Sequence, residues 1–137
     1  MRRAPAIVFV ATLALSSCGL FEGKDVAEKA VERFHQQYND ESYGQMYADA
    51  DAAFRRATSD ASWTQLMQAV KRKLGALTRS RQTNFNLFSG TGGTTATLAY
   101  ASEFAQGKAT EEFRYGITGG KALLLAYNIN SPDLILR

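Results

Sequence analysis

The chain has 137 residues, enough for one domain with its own core. Sixteen basic residues face 13 acidic ones, a formal charge of +3, and so even a balance does not describe a nucleic-acid binder. One cysteine and one histidine exclude an internal disulfide and a four-ligand zinc site; no metal and no cofactor is expected.

Met1-Arg2-Arg3 opens the chain, and Ala4 to Leu15 follows, apolar except for Thr12. That run is shorter than the roughly 20 residues of a membrane-spanning helix. A charged start, a short apolar stretch and small residues at its end read as a secretory signal peptide over residues 1–17. Leu15-Ser16-Ser17-Cys18 resembles the lipobox of bacterial lipoproteins. The resemblance implies cleavage between Ser17 and Cys18. It also implies a diacylglyceryl group on the Cys18 thiol and a further chain, such as palmitate, on the new amino terminus. One acyl chain holds a protein marginally and two hold it stably. The expectation is an exported lipoprotein on the periplasmic or outer side of a membrane. Gly19 stands where aspartate would retain an enteric lipoprotein in the inner membrane, which favours the outer one. The mature chain has 120 residues, with 14 basic and 13 acidic.

Residues 18–23 read as a lipidated tether, and residues 24–137 as a single domain. Gly19 to Gly23 reaches at most about 18 Å when extended, which keeps the domain near the bilayer. From Lys24 to Tyr38 the apolar residues Val26, Ala30, Phe34 and Tyr38 recur every four positions, the mark of an amphipathic helix. A second helix is expected from Ser42 to about Ala57, with Ser42 and Gln45 as a capping box. A third follows Ser59 or Asp60; Trp63, Leu66, Met67, Val70, Leu74 and Leu77 form its stripe, and Gly75 is its candidate stop.

Beyond Arg81 the period becomes two. Phe85 and Leu87 lie in a first strand, and Ala96, Leu98, Tyr100 and Phe104 share one face of a second. Glu111, Phe113, Tyr115 and Ile117 alternate in a third, and Leu123, Leu125, Tyr127 and Ile129 in a fourth. The turns SGTGG, AQGK and TGGK are short, so the strands form an antiparallel meander. Three N-terminal helices packed on a curved four-stranded antiparallel sheet define an α+β fold. This order resembles the NTF2-like, cystatin-like cone. The segments MYADADAAFRRATSDASWTQLMQAVKRKLG, TLAYASEFAQGKATEEF and LLLAYNINSPDL resemble small exported bacterial proteins carrying a domain of unknown function. That group brings no activity with it.

Few residues suggest chemistry. In enzymes of the NTF2-like superfamily a His or Asp inside the cone serves as base, and His35 is the only histidine. Helical geometry sets it about 90° from the centre of the apolar stripe, at the edge of the buried face. Tyr38, Tyr47, Tyr100, Tyr115 and Tyr127 fall on inward faces, as core residues or as candidate lining of a pocket. Glu111 shares that strand face, and its place near a strand end suggests exposure. Lys71, Arg72, Lys73, Arg79 and Arg81 form a basic cluster that could touch anionic headgroups or simply be solvated.

The leading expectation is a non-enzymatic domain of the cell envelope that binds a protein partner or a small apolar ligand. A small isomerase or lyase using His35, Glu111 or Asp49 beside a tyrosine is one alternative. An accessory domain resting on lipid headgroups is another.

Overall fold

The computed structural model describes residues 18–136, with side-chain surroundings from residue 22 onward. The expected signal peptide over residues 1–17, Ser17 included, and the side chain of Cys18 lie outside the described residues. The fold is α+β: a four-stranded antiparallel open sheet with five helices.

Helix α1 spans Cys18–Asn39. It therefore already includes Cys18, ahead of the expected Lys24, and the stretch expected to be the tether is helical. Gly23 explains part of this. It is buried, and a Cβ there would meet the Leu87 side chain at 3.4 Å, so the helix lies close against the sheet. Lys24 sits over the Phe85 ring at 5.8 Å. At the other end Asn39 exchanges two hydrogen bonds with the backbone of Leu77, of 2.8 and 3.0 Å. Among the described residues no helix is long and apolar enough to cross a membrane.

The single helix expected over residues 42–57 is two: α2 (Tyr43–Asp49) and α3 (Ala52–Ala57). Ala50 and Asp51 are extended. The Asp51 side chain caps α3 by accepting from the Ala53 amide at 2.7 Å, the usual work of an N-cap carboxylate. Its own amide donates to the Leu124 carbonyl at 2.9 Å, which ties the break to the sheet edge. Four helices, not three, thus precede the sheet. Ser42 makes no side-chain capping bond; Gln45 instead donates to Asp49 at 2.7 Å. Helix α4 (Asp60–Leu74) is capped by Ser59 and ended by Gly75 at φ 78°, a left-handed conformation that glycine adopts without cost. Trp63, Met67, Val70 and Leu74 are buried, while Leu66 faces outward and Leu77 opens the first strand.

Strands β1 (Leu77–Gly90), β2 (Gly93–Phe104), β3 (Gly107–Thr118) and β4 (Lys121–Asn130) pair in sequence order. The β3–β4 hairpin turns through Gly119 and Gly120 at φ 57° and 72°, the pair of positive angles that a tight two-residue hairpin loop requires. Alternation correctly identifies the inner face of β2 and β3: Ala96, Leu98, Tyr100, Glu111, Phe113 and Tyr115 are all buried. On β4 it holds only from Tyr127 onward. Arg114 pairs with Ala126 but Tyr115 with Leu124, so Leu125 is a bulged extra residue. A one-residue insertion reverses which face a side chain takes. Leu124 is therefore buried, Leu123 is exposed, and Leu125 lies 3.5 Å from where a Gly116 Cβ would be. Helix α5 (Pro132–Leu136) closes the chain. The Lys73 ammonium donates to the Leu134 carbonyl there at 2.5 Å.

Candidate functional site

Two features stand out under α1: a closed polar cluster and an open groove. The cluster centres on Glu111, which strand alternation directs inward and which is only 1 % exposed. Its Oε1 accepts from the Ser102 hydroxyl at 2.5 Å and from His35 Nε2 at 2.9 Å, and its Oε2 accepts from the Tyr127 hydroxyl at 2.6 Å. Burial alone would raise this carboxyl. The hydrogen bond and charge of His35, with the two hydroxyls, outweigh burial and hold it below its ordinary value. Glu111 is thus ionised at neutral pH, and His35 Nε2 carries the hydrogen that faces it. Burial, then the Glu111 charge, pushes Tyr127 well above the ordinary value for tyrosine.

His35 was expected at the boundary and Glu111 near solvent. Both are buried, at 8 and 1 % exposure, because β3 begins four residues earlier at Gly107, Glu111 is paired on both sides with Tyr100 and Ile129, and its inward carboxylate meets His35 on α1. A carboxylate that orients an imidazole is the positioning half of many acid–base sites. Here neither residue lines either of the cavities described below.

The groove runs along α1. Its other walls are the α2–α3 break and the start of β4, and it encloses about 810 Å³. Val26, Ala30, Phe34, Met46, Ala122 and Leu124 supply apolar surface. Contact from Asp25 to Gln37 covers thirteen residues of helix, or about 18 Å for the steps of 1.5 Å between them. Many charges at its rim are already committed. Lys29 pairs with Asp25 at 3.0 Å, Arg55 donates to the Ala48 carbonyl at 2.7 Å, and Asp49 accepts from Gln37 and Gln45 at 3.0 and 2.7 Å. Arg33 and Lys121 are exposed, and among the described residues their side chains have no hydrogen bond or ion pair. Tyr115 also lines the groove. It is 3 % exposed and its hydroxyl, closed off from solvent, has no partner. Burial drives its ionisation up strongly, Tyr100 and Glu111 add to this, and the nearby Arg33 charge opposes it.

Of the five tyrosines considered for a pocket, Tyr115 alone lines this groove. Tyr38 donates to the Gly75 carbonyl at 2.8 Å, which fastens α1 to the end of α4; burial pushes its hydroxyl up. The Tyr47 hydroxyl reaches the Arg55 and Thr58 carbonyls at 3.1 and 2.9 Å and holds α2, α3 and their exit together. Tyr100 reaches Gln82 at 3.4 Å, and burial raises it to about 12. Tyr127 belongs to the Glu111 cluster.

The basic residues divide. Lys71 donates to the carbonyls of Tyr38 and Asn39 at 3.4 and 3.0 Å, and Lys73 is bound to Leu134. Arg79 and Arg81 rim a second hollow of about 450 Å³ with Lys108 and Glu103, on the outer face of the sheet. Arg72 is exposed. All five lie toward the end where α1 finishes, away from Cys18. No trio of His, Cys, Asp or Glu able to hold a metal occurs among the described residues.

The groove was not visible in the sequence. Its walls meet because α2 and α3 part at Ala50 and Asp51. The only local sign was an aspartate placed to cap Ala52-Ala53.

Residues 30–119 match a family described as "Protein of unknown function (DUF4019)". No curated protein matches the chain. Among solved structures, Aln2 from a Streptomyces species is similar in fold. The TM-score is 0.56 at 14 % identity, covering 90 % of this chain and 98 % of that one.

Proposed function

This chain belongs to the DUF4019 family of proteins of unknown function, and from that premise we propose that it is an envelope lipoprotein whose domain binds a small apolar ligand without transforming it. In this reading the acyl chains on Cys18 anchor it to a membrane, the outer one by preference. The domain is taken as NTF2-like, a reading supported by the likeness to the Aln2 fold. The observation that carries the binding role is the groove: about 810 Å³ with an apolar wall, within the ordinary range of about 300–1,000 Å³ for ligand sites. The polar cluster favours binding over catalysis, since His35 and Glu111 are satisfied by neighbours and line neither cavity.

The test uses the chain carrying Cys18→Ser, which removes the acyl chains and leaves every described side chain unchanged. N-phenylnaphthylamine, a neutral dye that brightens in apolar surroundings, should bind saturably at one site. Ala122→Trp should abolish binding without altering the circular dichroism. Ala52→Trp, on the exposed wall, serves the same purpose if the first variant disturbs the fold. Absence of saturable binding, or binding indifferent to both fillings, would overturn the reading.

A further inference from the structure

We propose that the groove selects a long-chain carboxylate, a single-chain amphiphile of the fatty-acid type, with its head held by Arg33 and with Lys121 adding positive charge at the rim. The proposal rests on the binding role of the groove and adds the chemistry of its occupant.

Shape is the first argument. The groove follows α1 for about 18 Å, lined by Val26, Ala30 and Phe34 from the helix and by Met46 and Leu124 from α2 and β4. A long slot suits an extended chain better than a compact ring. Charge is the second. Seven charged residues line the groove, but they are not equally available. Asp25 is paired with Lys29, Asp49 takes two amide donors, Asp51 caps α3 and Arg55 holds a backbone carbonyl. Arg33 and Lys121 remain uncommitted among the described residues. The charge the groove can offer a ligand is therefore positive, although its formal sum is near neutral. A guanidinium binds a carboxylate through two parallel hydrogen bonds, which fixes geometry as well as sign.

The third argument is Tyr115. A buried donor left without a partner is costly and calls for an explanation. Tyr115 lines the groove with its hydroxyl closed off behind the wall, within electrostatic reach of Arg33. A carboxylate bound at Arg33 brings an acceptor oxygen to that region, and the hydroxyl gains its missing partner when the wall adjusts around the ligand.

The experiment is displacement of N-phenylnaphthylamine from the Cys18→Ser chain by three sixteen-carbon compounds, each below its micelle concentration. These are palmitate, hexadecanol and hexadecylamine. Palmitate should displace the dye at a concentration about tenfold lower than hexadecanol, the return on one charge-assisted pair, and hexadecylamine should be the weakest. In Arg33→Gln the preference for palmitate over hexadecanol should collapse toward one, with a smaller fall in Lys121→Gln. Tyr115→Phe should weaken palmitate several-fold without loss of thermal stability. Equal potency of palmitate and hexadecanol, or a preference for hexadecylamine, overturns the carboxylate proposal and leaves apolar binding standing. Failure of the dye itself to bind overturns the underlying role.

Discussion

At Glu111 three donors converge on one carboxylate in a space closed to water. Removing it strands His35 and two hydroxyls, so Glu111→Ala should cost about 3–5 kcal/mol in urea unfolding, the usual penalty for breaking a buried pair. The pH dependence has a definite sign. The folded carboxyl lies below its ordinary value of 4.5. Its contribution is therefore complete above about pH 4.5 and disappears as pH falls toward the folded value. The stability of the native chain should drop in that acid window, and Glu111→Gln should flatten the drop. Two tyrosines offer an opposed pair. Tyr127→Phe removes a donor to a charged group and should cost about 1.5–3 kcal/mol. Tyr115→Phe removes a hydroxyl that has no partner and should be neutral or stabilising. Strand alternation made the inward aim of Glu111 legible. Its meeting with His35 was not, because a helical wheel fixes an angle about one axis and says nothing of where a sheet lies against it.

Among the elements, β4 shows where a periodic pattern stops informing. Leu123 and Leu125 match the phase of Tyr127 and Ile129, yet the bulge at Leu125 hands the inner position to Leu124. Nothing in four consecutive apolar residues (Ala122 to Leu125) tells a continuous strand from a bulged one. The difference is measurable. Leu124→Ala should cost about 2–5 kcal/mol, as buried leucines do, while Leu123→Ala should stay within about 0.5 kcal/mol; equilibrium denaturation of both variants decides it. The α2–α3 break follows the same logic at a helix. Its apolar stripe runs through Ala50, and only the bond from the Asp51 amide to Leu124 shows why the helix divides there. The caps of α4 were legible because Ser59 and Gly75 act locally.

For the whole molecule, direction matters. Helix α1 rises about 33 Å over its 22 residues. Its start lies beside Leu87 and its finish beside Leu77. The β1–β2 and β3–β4 turns share the starting end, where Phe88 is 67 % exposed. The basic cluster gathers at the other. If acyl chains on Cys18 fix the protein to a bilayer, Phe88 and Lys121 approach the surface and Arg79 and Arg81 point away from it. Cys18→Ser should then move the protein from the membrane pellet to the soluble fraction after a high-salt wash. The small basic cluster would not hold it.

The continuity of α1 from its first described residue has a geometric corollary. If acyl chains are attached at Cys18, a limp leash would let the body drift, whereas a helical shaft sets its distance from the surface. Each residue inserted between Cys18 and Gly23 would lengthen the shaft by about 1.5 Å and swing the body about 100° around it. On such an anchor the standoff of the domain would follow the residue count of one short segment.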